Sequence, residues 1–268
     1  MNKRLFSLQP NDSLGRFWLA GLLILGLTLM TWALPAWFTS NEAIAQNVDP
    51  KFEAQVLQVL REHPEIILES VNTYQQKQQQ QRQAEVAAFL QTLKANPAAA
   101  IGQSPLLGAA EPEVFLLEFS DFQCPYCARS REALEQFIEQ HPEAALVYKQ
   151  FPLTAIHPQA LPAAKAAWAA AQQGKFWPYH DGLFQQQDDL GEELYLSLAE
   201  ELDLDLEQFN RDRTSKTATL AIQADMEMAS QLEVPGTPFL VMNGNVFQDR
   251  IELSNLESFL AAIQKDDA

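Results

Sequence analysis

The stretch VFLLEFSDFQCPYCARSREALEQF, residues 114–137, sets the architecture of this chain. Its first six residues, Val114–Phe119, form a nearly continuous apolar run, as in strands that are covered on both faces. An amphipathic helix is predicted over Arg129–Gln140, and a second strand is predicted over Ala145–Phe151. A strand, a helix and a strand within about 38 residues predict a βαβ unit, in which the two strands are parallel.

The rest of the sequence predicts a block of helices, a hairpin and a last helix. From about residue 158 to residue 232 the apolar spacing is helical throughout. Phe239–Met242 and Asn245–Phe247 are predicted to be short strands, and the Asn-Gly pair between them is a strong hairpin signal. Ser254 and Glu257 have the spacing of a capping box and predict the start of the final helix. The chain is therefore predicted to be an α/β protein whose sheet is interrupted by an all-helical insertion.

The chain contains two cysteines, Cys124 and Cys127, separated by Pro125 and Tyr126. A structural zinc site needs four ligands and a disulfide-held secreted fold needs more cysteines, so the pair is interpreted as a redox unit. It lies where a strand is predicted to lead into a helix, and free backbone N–H groups and the helix dipole favour a thiolate there. Cys124 is thus the candidate exposed nucleophile and Cys127, one turn deeper, the candidate resolving thiol. A structural disulfide and unreactive buried thiols are the alternatives.

The first 45 residues predict export. Three basic residues precede Phe17–Phe38, a span without charged residues that is long enough for a membrane helix of about 20 residues. Ala43-Ile44-Ala45 is a small-x-small pattern suited to cleavage before Gln46 by signal peptidase. Residues 1–45 are therefore either a cleaved signal peptide or a single membrane anchor. In both cases the body is expected in the periplasm or an equivalent extracytoplasmic compartment.

A helical segment is predicted over residues 46–97. Apolar residues between Phe52 and Leu93 recur at helical spacing, and a glutamine-rich run, Gln75–Gln83, interrupts them. The residue types of this run are good helix formers, so a solvated helical stalk is predicted there. The apolar stripe needs a surface to cover it. Packing on the chain's own body and formation of a homo-oligomer through residues 50–95 are the two alternatives.

Composition restricts the function and the cofactors. The formal net charge of −17 at pH 7 argues against nucleic-acid binding. The sequence has no phosphate-binding loop, dinucleotide fingerprint or Ser/His/Asp order. Two cysteines and four scattered histidines do not form a metal-binding pattern. The sequence therefore predicts no metal and no cofactor besides the redox-active disulfide Cys124–Cys127.

Three segments together resemble the DsbA family of exported thioredoxin-fold thiol–disulfide oxidoreductases, in the branch with an N-terminal helical extension. They are Ser104–Phe137, which contains the CPYC motif, Phe151–Phe184, which begins FPLTAIHP, and Val234–Phe247, which reads VPGTPFLVMNGNVF. The combination is specific and covers most of residues 104–265. The resemblance implies a thioredoxin fold over residues 98–268, with the helical insertion at about 158–232.

The resemblance also implies roles for individual residues. Thr237-Pro238 matches the family's cis-proline dipeptide, which lies beside the CxxC motif and pairs with the substrate backbone. Pro125 and Tyr126 are the other candidate substrate-binding residues. Glu118 matches a buried acid that helps to move the proton of the resolving thiol. A lone carboxylate within VFLLEF is costly to bury unless it has a role, and an exposed glutamate at a sheet edge is the alternative.

By this resemblance the protein is expected to be a protein-disulfide oxidoreductase that introduces or exchanges disulfides in exported proteins. A membrane quinone-linked thiol oxidase, either DsbB-like or vitamin K epoxide reductase-like, is expected to reoxidise it. Strongly oxidising members carry His where this chain has Tyr126, and a phenol adds no positive charge beside the thiolate. Disulfide isomerase and reductase are therefore alternatives. From another class, the alternative is a chaperone-like module that binds unfolded exported chains.

Overall fold

Two helices begin the part of the chain that the computed structural model describes, residues 49–97 and 101–266. Helix α1 is Pro50–Glu62, and the Asp49 side chain caps it by accepting a hydrogen bond from the Lys51 backbone N–H at 2.9 Å. Helix α2 is Pro64–Ala95 and includes the glutamine-rich run, which is helical as predicted. Both helices begin with a proline, a residue well tolerated there because the first helical N–H has no partner within the helix.

The predicted membrane span Phe17–Phe38 and the cleavage pattern at residues 43–45 lie outside the described residues. Within residues 49–97 and 101–266, no helix is both long enough and apolar enough to cross a membrane. Signal cleavage and membrane anchoring therefore stay predictions.

One sheet organises the body of the protein. In the described part of the chain its strands are β1 Leu106–Gly108, β2 Val114–Ser120, β3 Ala144–Gln150, β4 Phe239–Met242 and β5 Asn245–Phe247. They lie in the order β1-β3-β2-β4-β5, with β2 and β3 parallel and the other neighbours antiparallel. The parallel pair confirms the predicted βαβ unit, and the hairpin of β4 and β5 has the predicted bounds.

The helices that follow α2 are α3 Pro125–Gln140, α4 Ala160–Ala171, α5 Phe176–Gln185, α6 Glu192–Glu201, α7 Leu206–Arg213, α8 Lys216–Gln231 and α9 Leu253–Asp266. Helix α3 connects β2 to β3. Helices α4 to α8, with a short 3₁₀ turn at Gln187–Asp189, lie between β3 and β4 in the chain. They form the predicted all-helical insertion.

Helices cover both faces of the sheet. On one face, Leu116 of β2 packs in a buried cluster with Leu134 of α3 and Leu256 of α9. On the other face, Leu117 of β2 packs with Leu232, which follows α8 directly. Every residue of β2 is buried, so the strand is central and covered on both faces as its apolar run predicts. The predicted fold class is confirmed.

The start of helix α9 corrects one prediction. The helix begins at Leu253, and the capping box predicted for Ser254 and Glu257 is wrong. The Leu256 backbone N–H donates to the Glu252 carbonyl oxygen at 3.0 Å, so this helical bond begins two residues before Ser254. Ser254 consequently lies within the first turn, where its side chain cannot act as the cap.

The apolar stripe of the N-terminal helices falls into two parts, because the chain divides into two units after Gln76, within α2. Beyond this division, Leu93 is buried and belongs to the core cluster on the α8 face of the sheet, and Val86, Phe89 and Leu90 pack against that cluster. Before it, the large apolar side chains are exposed in the single chain: Phe52, Val56, Leu57, Val59, Leu60, Ile66, Ile67, Leu68, Val71 and Tyr74. The end of α2 therefore packs on the sheet. The ten exposed side chains before the division are called here the exposed stripe.

Candidate active site

Cys124 occupies the cap position of α3, and Pro125 is the first residue of the helix. The Cys127 backbone N–H donates to the Cys124 carbonyl oxygen at 3.1 Å, so the two cysteines are one helical turn apart. Both are free thiols. Cys124 is 4% exposed and Cys127 is 1% exposed, whereas Tyr126 between them is 64% exposed. The predicted order of exposure holds, but Cys124 is buried and not an exposed residue as predicted.

The two thiols differ in acidity. A hydrogen bond from the Cys127 thiol is the largest effect on the pKa of Cys124, which falls to about 5 although burial opposes the change. Thr237 and the backbone N–H groups of Cys127 and Tyr126 lower the pKa of Cys124 further. Burial, and then the neighbouring Cys124 and Glu118, raise the pKa of Cys127 well above its ordinary value. At pH 7 the pair therefore holds a thiolate on Cys124 and a thiol on Cys127, as a nucleophile with a resolving partner requires.

A loop distant in sequence covers Cys124. The peptide bond between Thr237 and Pro238 is cis, as predicted. In its thiol form, Cys124 donates a hydrogen bond from Sγ to the Thr237 carbonyl oxygen at 3.4 Å. The loop explains why Cys124 is buried, and it places a backbone carbonyl group beside the reactive sulfur.

Glu118 is buried beneath the cysteines in the central strand. It pairs with Tyr148 of β3 and Leu240 of β4, and it is 4% exposed. The alternative of an exposed glutamate at a sheet edge is therefore wrong. Burial raises the pKa of Glu118 to about 7, with the Ser120 hydroxyl opposing this rise and the negative charge of Cys124 adding to it. Glu118 can thus gain or lose a proton near neutral pH.

The turn between β2 and the cysteines depends on Asp121, which sequence reasoning missed. Its side chain is fully buried and accepts hydrogen bonds from the backbone N–H groups of Gln123 and Leu153, at 2.7 and 2.9 Å. His157 Nδ1 lies 2.8 Å from the same carboxylate. The Asp121 carbonyl oxygen accepts from the Cys124 backbone N–H at 3.0 Å. The position of Asp121 directly between a buried strand and the CxxC motif is the signal that points to this role.

The helical insertion also supports the cysteine turn. Gln187 donates from Nε2 to the carbonyl oxygens of Phe122 and Cys124, at 2.7 and 3.0 Å. Phe122 stacks on Tyr148 of β3, with ring centroids 5.4 Å apart. The sequence offers no signal for Gln187, because a glutamine in a helical connection is ordinarily a solvated residue.

A groove of about 720 Å³ begins at the cysteine motif. Its lining combines residues from α3, from the cis-proline loop and from the segment before α9: Tyr126, Arg129, Ser130, Thr237, Pro238, Asp249, Arg250, Ile251 and Glu252. The Arg129 guanidinium lies over the Tyr126 ring, 4.3 Å from its centroid, which is cation–π geometry. Three of the predicted substrate-binding residues, Tyr126, Thr237 and Pro238, therefore line one groove, and Pro125 is adjacent to it in the chain.

The described residues offer no metal site. Across residues 49–97 and 101–266, no three His, Cys, Asp or Glu side chains lie together in a way that would hold a metal ion.

Two thiols of such different acidity, one helical turn apart, can form and break disulfides with a partner, which is the chemistry of a thiol–disulfide oxidoreductase. A comparison with protein families gives the same class: the family model described as thioredoxin matches residues 99–264. The protein belongs to the thioredoxin family. The thioredoxin fold that the sequence predicts is thereby confirmed.

Two solved structures have a similar fold. A thioredoxin-like oxidoreductase from Silicibacter pomeroyi DSS-3 matches with a TM-score of 0.57 and 32% identity, over 61% of this chain and 94% of that one. The thiol–disulfide exchange protein alpha-DsbA2 from Wolbachia pipientis matches with a TM-score of 0.56 and 19% identity, over 66% of this chain and 98% of that one. At that lower identity the second likeness is one of fold alone.

Curated relatives match over a shorter stretch. The Na(+)/H(+) antiporter NhaA 3 of Salinispora tropica is 36% identical over 156 residues. These residues are 58% of this chain and 24% of the antiporter, so the chain spans about a quarter of the length of the curated relatives it matches. The similarity concerns one part of the antiporter, and the ion exchange in its name is not transferred to this chain.

Proposed function

We propose that this protein exchanges disulfides with exported proteins through Cys124 and Cys127. The single observation that supports the proposal most is the difference in pKa between the two thiols. The surroundings lower the pKa of Cys124 to about 5 and raise the pKa of Cys127. Such a difference makes one sulfur a good nucleophile and leaving group at neutral pH, and it keeps the other protonated until resolution.

In the favoured direction the protein donates its disulfide. A substrate thiolate attacks Cys124 Sγ, the bond between Cys124 and Cys127 breaks, and Cys127 leaves as a thiolate that takes a proton from Glu118. The second substrate thiol loses its proton to solvent and attacks the substrate sulfur of the mixed disulfide, so that Cys124 leaves as a thiolate. The substrate loses two electrons and forms a disulfide, and the cysteine pair gains both electrons.

The substrate is proposed to lie in the groove as an extended chain. Thr237 and Pro238 are the proposed partners of its backbone, and Pro125 and Tyr126 contact it beside the reactive sulfur. The position of the Thr237 carbonyl, 3.4 Å from Cys124 Sγ, supports this arrangement. The groove also exposes Arg129 and Arg250 as well as two acidic side chains, so polar substrate segments suit it better than purely apolar ones.

No dissociable cofactor is proposed, because the electrons are held by the Cys124–Cys127 pair. After each reaction the reduced cysteine pair needs an oxidant to form the Cys124–Cys127 disulfide again. A membrane quinone-linked thiol oxidase, DsbB-like or vitamin K epoxide reductase-like, is proposed for this step. The predicted export of residues 46–268 supports a periplasmic or equivalent extracytoplasmic location, with or without an anchor at Phe17–Phe38.

Disulfide isomerase is the second candidate within the same chemistry. The exposed stripe of the N-terminal helices supports it, because a homo-oligomer would cover that stripe and arrange several active sites together. Tyr126 argues against a strongly oxidising potential, because the motif carries no cation between the cysteines to stabilise the reduced form further.

The redox potential, measured against glutathione, distinguishes disulfide donation from reduction. A potential near about −120 mV fits disulfide donation, and one near about −270 mV fits reduction. The chaperone-like alternative is tested separately with a variant in which Cys124 and Cys127 are both serine. If that variant refolds a reduced substrate protein as fast as the wild type, disulfide exchange is not the function.

A further inference from the structure

In the proposed reaction, Glu118 and Cys127 exchange a proton in a part of the core that bulk solvent does not reach. Glu118 is 4% exposed and Cys127 is 1% exposed, on a strand and a helix that face each other in the core. With a pKa of about 7, Glu118 carries a proton in roughly half of the reduced molecules at pH 7. Those molecules cannot take the proton of Cys127 until Glu118 has lost its own. A buried acid loses a proton to solvent through local opening or through a chain of proton carriers.

A small cavity adjoins both groups. Its volume is about 10 Å³, close to the room that one water molecule needs. Glu118 and Cys127 line it on one side, and His180, Arg131 and Glu135 also contribute to its wall. The cavity therefore connects the buried redox groups to polar side chains of α3 and α5.

Two buried hydroxyl groups lie close to the same buried acid. Within the described residues, Ser120 Oγ and Tyr148 Oη have no hydrogen-bond partner at ordinary distance, although the Ser120 hydroxyl is near enough to Glu118 to oppose the rise of its pKa. The negative charge of Glu118 contributes to the raised pKa of Tyr148, after the larger effect of burial, so the two groups are close enough to interact. Unpartnered buried hydroxyls beside a carboxyl group favour an ordered water molecule there.

His180 links this cavity to the surface. It is 3% exposed, and the rings of Phe122, Tyr148 and Phe184 surround it with centroids 5.6, 5.0 and 4.8 Å away. Its Nδ1 lies 2.9 Å from Oδ1 of Asp181, whose side chain is 35% exposed. Nδ1 of His180 thus lies beside a carboxylate that is accessible to solvent. His180 also lines the small cavity beside Glu118 and Cys127.

Arg131 interacts with the carboxylates of Glu135 and Asp181 on the solvent side of His180. Arg131 Nη1 lies 2.6 Å from Glu135 Oε1 and 3.5 Å from Asp181 Oδ1. The titratable and charged groups that face His180 are therefore Glu118 from β2, Tyr148 from β3, Asp181 from its own helix, and Cys127, Arg131 and Glu135 from α3. Burial lowers the pKa of His180, so the ring is neutral at pH 7 and has one nitrogen free to accept a proton.

We propose that protons pass between Glu118 and solvent through His180 and Asp181. A protonated Glu118 gives its proton to a water molecule in the cavity, which gives one to Nε2 of His180. Nδ1 then releases its proton to the Asp181 carboxylate, and Asp181 releases it to solvent. The reverse sequence reloads Glu118 and restores the original tautomer. His180 acts through Glu118 and does not touch the substrate, so it is a positioning residue for the reaction.

This inference rests on the proposed function, and one experiment separates the two. Reduced protein is mixed with the aromatic disulfide DTNB in a stopped-flow instrument, and release of thionitrobenzoate is followed between about pH 5.5 and about pH 8.5. The first phase reports attack by Cys124, and the second reports attack by Cys127 on the mixed disulfide. If the wild type shows no fast first phase, the proposed function fails, whatever the second phase does.

The variant His180→Phe keeps an aromatic ring among those of Phe122, Tyr148 and Phe184. It removes the imidazole that would carry the proton. Its first phase is expected to stay within about twofold of the wild type. Its second phase is expected to split in two. Molecules with an ionised Glu118 react at the normal rate, and those with a protonated Glu118 react at least about tenfold more slowly. The slow fraction should grow as the pH falls through about 7.

Two further variants keep the test decisive. Trp177→Phe alters the wall of the same cavity without removing a titratable group, and it should show a single second phase like the wild type. Asp181→Asn leaves the aromatic rings around His180 intact and removes the carboxylate that accepts the proton from His180. It should therefore split the second phase, and it provides the test even if His180→Phe fails to fold. A single second phase in Asp181→Asn, within about twofold of the wild type at every pH, would overturn the proposal.

Discussion

The sulfur of Cys124 lies 3.4 Å from the carbonyl oxygen of Thr237, although the two residues are 113 positions apart in the chain. This contact joins the start of helix α3 to the loop before strand β4. It covers the reactive sulfur, and Thr237 also lines the groove in which we place the substrate. The nucleophile and the proposed backbone partner of the substrate are therefore positioned by the same contact.

Replacement of each cysteine should give different products. Cys124→Ser should abolish disulfide exchange, whereas Cys127→Ser should accumulate mixed disulfides through Cys124, because the resolving thiol is missing. Alkylation of the reduced wild type at about pH 6 should label Cys124 at least roughly a hundredfold faster than Cys127, because only Cys124 is a thiolate there. Mass spectrometry of the labelled peptides measures the order, and faster labelling of Cys127 would reverse the assignment.

The acidity of Cys124 should make the reduced protein more stable at higher pH. The pKa of Cys124 is lower in the folded chain, about 5, than the ordinary value of 9.0. The stabilisation is therefore complete above pH 9 and is lost as the pH falls towards 5. Urea unfolding of the reduced wild type and of Cys124→Ser should diverge across this window. Equal pH dependence of the two proteins contradicts the assignment.

Glu118 should make the folded protein less stable as the pH rises, which is opposite to the effect of Cys124. Its pKa rises from 4.5 to about 7 in the folded chain, so its contribution to stability is present below 4.5 and is lost as the pH rises through 7. The free energy of unfolding is expected to fall by on the order of 3 kcal/mol across this pH range for one buried group. Urea unfolding of the reduced Glu118→Gln variant should lack this pH dependence. Glu113→Gln, which changes an exposed glutamate just before the same strand, should retain it.

A histidine in place of Tyr126 should make the protein more oxidising. An imidazolium group between the cysteines stabilises the Cys124 thiolate and therefore the reduced form. The expected change is roughly 30–60 mV towards the potential of a disulfide donor, measured by equilibration with glutathione. Tyr126→Phe is the control, because it keeps the ring over which Arg129 lies and adds no charge. If Tyr126→His has the potential of the wild type, the residue between the cysteines does not set the direction of exchange.

The exposed stripe should assemble the protein. Residues 46–268 should form a species larger than a monomer in light scattering at tens of micromolar, because association buries apolar side chains. Phe52→Lys combined with Leu68→Lys should give a monomer, since these side chains are 59% and 66% exposed. Gln55→Lys combined with Gln75→Lys should leave assembly intact. A monomeric wild type would mean that the stripe does not assemble the chain, and the isomerase alternative would lose its main support.

Local patterns in the sequence were sufficient for most of the elements. The apolar run Val114–Phe119, the amphipathic spacing of Arg129–Gln140 and the Asn-Gly turn between β4 and β5 each reflect sterics and spacing within a few residues. A local pattern failed at Ser254, because helix α9 begins one residue earlier, at Leu253.

The sequence by itself therefore determined the strand, the CxxC motif, the helix that follows it and the class of chemistry. The family resemblance placed Thr237 beside the CxxC motif, but only the tertiary structure decided that its carbonyl oxygen contacts Cys124 Sγ. It also decided that Asp121 binds His157 and that His180 adjoins the cavity of Glu118. The physical reason is that periodicity specifies which face of an element is apolar, but not which distant element packs against it. Contacts between residues far apart in the chain arise when those faces meet, and in this protein they determine the proton chemistry of the site.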